Sequence, residues 1–91
     1  MARVVWRNQA LDDLDDIITY LEQFDAKAAD RYYVRLFTLG ESLRDFPHRG
    51  RPAGNGEREL VTVPPYVLRY RVDSDSVMIL SVSHGARRPL D

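Results

Sequence analysis

Apolar and polar positions along this chain change rhythm twice, and each rhythm predicts a type of element. Ala10, Leu14, Ile17, Leu21 and Phe24 recur at spacings of 4, 3, 4 and 3, with Leu11 and Ile18 beside them. That is one wide apolar stripe on a helix of about four turns. After a short break, Ala29, Tyr32, Leu36, Leu39, Leu43 and Phe46 follow at spacings of 3, 4, 3, 4 and 3. Two striped helices so closely joined predict an antiparallel helical hairpin. Asn8 and Asp25 are the expected N-caps. The second helix should run to about Asp45, ahead of Pro47. Gly40 lowers helix stability, and its place there points to a close approach of the two helices.

The second half has a period of two. Val67 to Val72 alternates, with Leu68, Tyr70 and Val72 on one face and Val67, Arg69 and Arg71 on the other. Val77 to Val82 is nearly all apolar, as in a central strand covered on both sides. Asp73-Ser74-Asp75-Ser76 supplies a four-residue hairpin loop between them. Arg58 to Val63 alternates well enough for another strand, set off by Pro64-Pro65. Arg3 to Arg7, with β-branched and aromatic residues, predicts a first strand. The stretch from Phe46 to Gly56 is rich in Gly and Pro and is expected to be a loop. The predicted order is β-α-α-β-β-β. This is a two-layer α+β fold in which a helical hairpin covers the Leu68/Tyr70/Val72 face of a mostly antiparallel sheet. The last three strands form an antiparallel meander, and the first strand lies beside the last.

Composition narrows the setting. At 91 residues the chain, 1–91, should form a single domain. It has no cysteine, so neither a disulfide nor a thiolate zinc site can staple it. No apolar run approaches the roughly 20 residues that span a bilayer, and the N-terminus lacks an h-region. A cytoplasmic protein without membrane contact is expected. Net charge is −1, but unevenly placed: residues 1–45 hold nine acids and six bases (−3), residues 46–91 five acids and seven bases (+2). Lys27 is the only lysine among 13 basic residues. A domain that binds nucleic acid electrostatically carries a clear positive excess. Sequence-specific DNA binding by this chain alone is therefore not expected, whereas a local arginine cluster remains open.

Candidate chemistry gathers on the strands and the tail. Arg69 and Arg71 share a face, Arg58 could join them from the neighbouring strand, and such forks suit carboxylates or phosphates. The plainer alternative is a solvated sheet face. His84, followed by Arg87 and Arg88, could act as a general base beside phosphate contacts. It could equally be a strand-end histidine that orients the tail. Arg49-Gly50-Arg51-Pro52 is a basic loop without the signature of a phosphate loop. Asp12, Asp13, Asp15 and Asp16 complement the helix dipole and read as a solvated face, not a metal site. Tyr33 is a candidate partner contact, while Tyr32 and Trp6 are expected in the core. No metal or cofactor is expected.

The chain as a whole resembles the ParE branch of the RelE/ParE superfamily, the toxins of bacterial type II toxin–antitoxin pairs. Carrying the resemblance are Trp6 with Ala10, Asp13-Leu14, Ile17 with Tyr20-Leu21, Ala28-Ala29, Leu43, Pro47, Gly50-Arg51 and Arg58-Glu59-Leu60. Tyr66 to Val72 and Ile79 to Arg87 complete it. Together they span about Val4 to Pro89. The resemblance implies a cognate antitoxin whose C-terminal segment wraps the toxin in a hetero-oligomer. It also implies a cellular target: DNA gyrase for ParE-type members, ribosome-bound mRNA for RelE-type nucleases. The nuclease branch uses several lysines and arginines with a C-terminal tyrosine or histidine. Here only His84 with Arg58, Arg69 and Arg71 could substitute. The expectation is a non-enzymatic gyrase inhibitor that binds through Arg58, Arg69, Arg71, His84, Arg87 and Arg88. An endoribonuclease using His84, Arg58 and Arg71 is the alternative, and an inactive member that only binds its antitoxin is a third.

Overall fold

The two apolar stripes have to be buried against something, and the sheet built by the second half of the chain is what they meet. The structure is a computed structural model, which describes residues 2–85. Its elements are β1 (Arg3–Trp6), α1 (Asn8–Glu22), α2 (Ala26–Glu41), β2 (Arg51–Gly54), β3 (Glu57–Val63), β4 (Tyr66–Val72) and β5 (Ser76–His84). Among the described residues the sheet has five strands in the order β1-β5-β4-β3-β2. β1 runs parallel to β5, and the remaining pairs are antiparallel. The α+β fold, the terminal meander and the place of the first strand beside the last are as the pattern predicted.

Ala10 and Leu14 of α1 and Leu36 and Leu39 of α2 form one core with Leu43 and with Leu60, Leu68, Tyr70, Val77, Ile79 and Val82 of the sheet. Tyr70, Leu68, Val77 and Ile79 are completely buried. Both stripes overshoot their helices. Phe24 lies beyond the end of α1 and is 72% exposed, and Phe46, past the end of α2, is 64% exposed. The apolar spacing continued where the helical geometry did not.

Helix boundaries correct two expectations. Asp25 caps α2 by accepting from the Ala28 N–H at 3.1 Å. Asn8 is not a cap: the N-cap position falls on Arg7, and no side chain bonds there. At its other end α2 stops at Glu41 and tightens into a 3₁₀ turn, Ser42–Arg44, short of Asp45. Gly40 does mark a close approach, but to the sheet and not to the other helix. A Cβ there would collide with the Trp6 ring and stand 2.8 Å from Ile79 Cδ1.

The Gly/Pro-rich stretch is not wholly a loop. Arg51–Gly54 forms the edge strand β2, paired with β3 through Arg51↔Glu59 and Pro52↔Arg58. An edge is where a strand tolerates proline, because the missing N–H need not donate to a neighbour. Gly54, Asn55 and Gly56 then turn the chain with φ of 88°, 56° and 74°, the left-handed region that Gly and Asn enter at least cost.

A bulge accommodates the nearly all-apolar run of β5. Its register to β4 slips between Arg69↔Ser81 and Tyr70↔Ile79, leaving Leu80 as the extra residue. Ile79, Leu80 and Val82 are all buried, although strict alternation from Ile79 would have turned both Leu80 and Val82 outward. The Val82 N–H at this irregularity donates to Asp13 Oδ2 of α1 at 2.9 Å. Asp13 is thus set apart from its acidic neighbours, for it fastens a helix to the sheet.

Candidate functional site

The helices cover one face of the sheet, so its other face is open. Residues directly opposite on antiparallel strands point to the same side. The register therefore assigns Glu57, Arg71 and Met78 to one row of the open face, and Arg51, Glu59, Arg69 and Ser81 to the next. Acid stands opposite base in both rows. Arg69 Nη2 donates to Glu59 Oε2 at 2.7 Å, and Arg51 approaches Glu59 Oε1 at 3.2 Å. Arg69 also reaches Glu57 at 3.4 Å, and Arg71 reaches it at 3.5 Å. Glu59 is only 5% exposed. A carboxylate so enclosed is stable only with its cations in place. Counting three arginines and two glutamates, this network carries +3 − 2 = +1.

Arg58 does not belong to this face. It pairs with Tyr70 and points to the helix-covered side. Its Nη1 donates to the Gly50 carbonyl at 2.7 Å, while the Gly50 N–H donates to Tyr70 Oη at 2.9 Å. These bonds tie the loop before β2 to the core. The single row of Arg58, Arg69 and Arg71 expected from alternation is therefore two separate groups.

His84 lies on the helix-covered side as well, opposite Tyr66, with the two rings 5.7 Å apart and edge to face. With Asp16, Ile17, Tyr20 and Tyr66 it lines a cleft of 250 Å³. His84 sits in the Tyr66 row and Arg58 in the Tyr70 row. Four residues of β4 separate these rows, about 13 Å at the usual strand rise. Arg71 is on the other face altogether. His84, Arg58 and Arg71, the residues of the endoribonuclease alternative, do not converge. Arg87 and Arg88 lie outside the described residues.

A second exposed feature was anticipated only through Tyr33, the candidate partner contact. Trp6 stacks on Phe37 at 5.4 Å and Phe37 faces Tyr33 at 6.0 Å, in a nearly parallel series across the outside of the helical hairpin. Trp6 is fixed by donating its indole N–H to Glu41 Oε2 at 3.0 Å. Leu11, Leu14, Asp15, Ile18, Tyr33 and Phe37 line a 270 Å³ cleft between α1 and α2. Its signal was present in outline: Leu11 and Ile18 flank the first stripe, and Tyr33 and Phe37 recur four residues apart just off the second. Among the described residues, no helix is long and apolar enough to cross a membrane.

A two-layer domain of this topology, with an open charged sheet and an exposed helical hairpin, has close counterparts. A chain from the chromosomal ParDE TA system of P. aeruginosa superposes with a TM-score of 0.82, covering 92% of this chain and 96% of that one at 22% identity. Toxin RelE2 of Caulobacter vibrioides is 49% identical over 87 residues, or 96% of this chain and 99% of that protein. Toxin RelE1 of the same organism is 35% identical over 81 residues, covering 85% and 86% respectively. Residues 4–89 match the model of the ParE toxin of the type II toxin–antitoxin system parDE. The chain belongs to this family, as the resemblance of its motifs implied.

Proposed function

We propose that this toxin acts by binding a protein target, DNA gyrase, and that a cognate antitoxin neutralises it. The observation that supports the non-enzymatic part is the dispersal, among the described residues, of His84, Arg58 and Arg71. His84 and Arg58 stand in different rows of the covered side, and Arg71 on the open face is already paired with Glu57. General base catalysis needs a base and a charge-stabilising group around one reacting atom. Among the described residues, His84 stands apart from both Arg58 and Arg71, which supports the binding reading.

The antitoxin contact is assigned to the outer cleft of the helical hairpin. Its aromatic and aliphatic lining fits the apolar side of an amphipathic helix, with anchors at helical spacing. Gyrase is assigned to the open sheet face. Surface plasmon resonance with immobilised toxin and purified gyrase holoenzyme tests that assignment. Saturable binding that weakens as salt rises is the expected result. No binding at micromolar gyrase would overturn it.

A second reading, ribosome-dependent mRNA cleavage, draws on the RelE names of the two Caulobacter relatives. It makes His84 the base for attack by a ribose 2′-hydroxyl. His84→Ala should then abolish growth arrest while leaving antitoxin affinity unchanged. Persistence of arrest in that variant removes the reading.

A further inference from the structure

We propose that Glu57 and Glu59 are selectivity residues that close the open sheet face to nucleic acid and reserve it for a protein surface of mixed charge. The inference rests on the reading of that face as a protein-binding one. Three arginines on an exposed sheet would ordinarily invite phosphate, because guanidinium forks match phosphate oxygens in pairs. Here the register sets a carboxylate directly across from two of those forks: Glu59 opposes Arg69, and Glu57 opposes Arg71. Glu59 also faces Arg51 from the other neighbouring strand. The closest contact, Arg69 Nη2 to Glu59 Oε2, is 2.7 Å.

A phosphate could take Arg69 only by leaving Glu59 behind, and Glu59 is 5% exposed. Without its 2.7 Å partner Glu59 would keep only longer contacts such as Arg51 at 3.2 Å, and weakening the pairing of a buried carboxylate is unfavourable, so the arginine is held. A phosphate backbone approaching the face would also meet both glutamates as like charges. A folded protein differs in presenting both signs. It can offer carboxylates to the outer edges of Arg51 and Arg71, which are 59% and 48% exposed, and a base or polar donor to the glutamates. Alternating signs fix the register of such a partner and reject a uniformly negative one.

The test measures fluorescence anisotropy of a fluorescein-labelled single-stranded RNA against wild-type toxin, Glu57→Gln, and the Glu57→Gln/Glu59→Gln double variant, over a salt series. Wild type should bind weakly. The double variant changes the network from +1 to +3 and should bind at least about tenfold tighter at low salt. Its slope of log affinity against log salt should steepen by about 2, from roughly 0.7 for each of three released arginines. Glu57→Gln alone, which frees Arg71 and leaves Arg51 and Arg69 on Glu59, should steepen the slope by about a third as much, roughly 0.7. Circular dichroism establishes folding, and if the double variant is unfolded, the single variant decides. Unchanged RNA affinity in a folded variant, or wild-type binding as tight as the variant's, would overturn the proposal. Absence of gyrase binding would leave these RNA affinities where they are, so the two failures can be told apart.

Discussion

Asp13 shows how much one side chain decides in a domain this small. Its carboxylate accepts the N–H of Val82 beside the β5 bulge and also a bond from Gln9 Nε2 at 2.7 Å. Asp13→Ala leaves that amide without its acceptor, at a cost of about 1–3 kcal/mol. A thermal melt should therefore fall by about 4–8 °C per kcal/mol. Asp12→Ala, one position away and exposed, should stay within about 0.5 kcal/mol of wild type. Gly40→Ala offers a test with opposing terms. Helix propensity alone would favour alanine by about 1 kcal/mol. The new methyl group, however, meets the Trp6 ring, which Glu41 and Phe37 hold in place. Overpacking of this kind costs about 1–3 kcal/mol, so the variant should unfold at lower urea with an unchanged m-value. Local chemistry made Asp25 legible as a cap, because a cap needs only its own first turn. Gly40 was legible as a contact but not as to its partner, since a sequence does not say what a helix faces.

Among the elements, the helices and the β4–β5 hairpin were legible because long apolar periods survive without knowledge of tertiary pairing. β2 was not, for Arg51-Pro52-Ala53-Gly54 has neither alternation nor strand-forming residues. It becomes a strand only because β3 offers an edge to pair with. The bulge was hidden for a related reason: one extra residue in β5 reverses the facing of everything beyond it. The chemistry of the open face was hidden as well, because Glu57 and Glu59 meet their arginines only once the registers of β3 with β4 and with β2 are known. The helical hairpin carries its own prediction. Phe37, 38% exposed, lies at the centre of the Trp6–Phe37–Tyr33 series, and buried aromatic anchors dominate interface energies. Phe37→Glu should weaken antitoxin binding by about 2 kcal/mol or more, roughly thirtyfold, in isothermal titration calorimetry. Circular dichroism of the variant should match wild type.

The molecule as a whole divides its labour between two sides. The hairpin buries one face of the sheet and leaves an aromatic cleft outward, while the opposite face carries an arginine–glutamate network of nearly balanced charge. Sequence motifs were enough to place the chain in its family, because order and spacing extend over almost its full length. They could not separate a binding surface from a catalytic one. That distinction depends on which face of the sheet each side chain occupies, and it divides His84 and Arg58 from Arg71. A toxin so built should act in proportion to its target and not by turnover. The most direct test gives the same purified toxin to two reactions, gyrase supercoiling and translation on ribosomes with a labelled mRNA. Supercoiling should fail as toxin approaches the gyrase concentration and recover on adding antitoxin, with the mRNA intact. Cleavage of the mRNA with supercoiling untouched would contradict it.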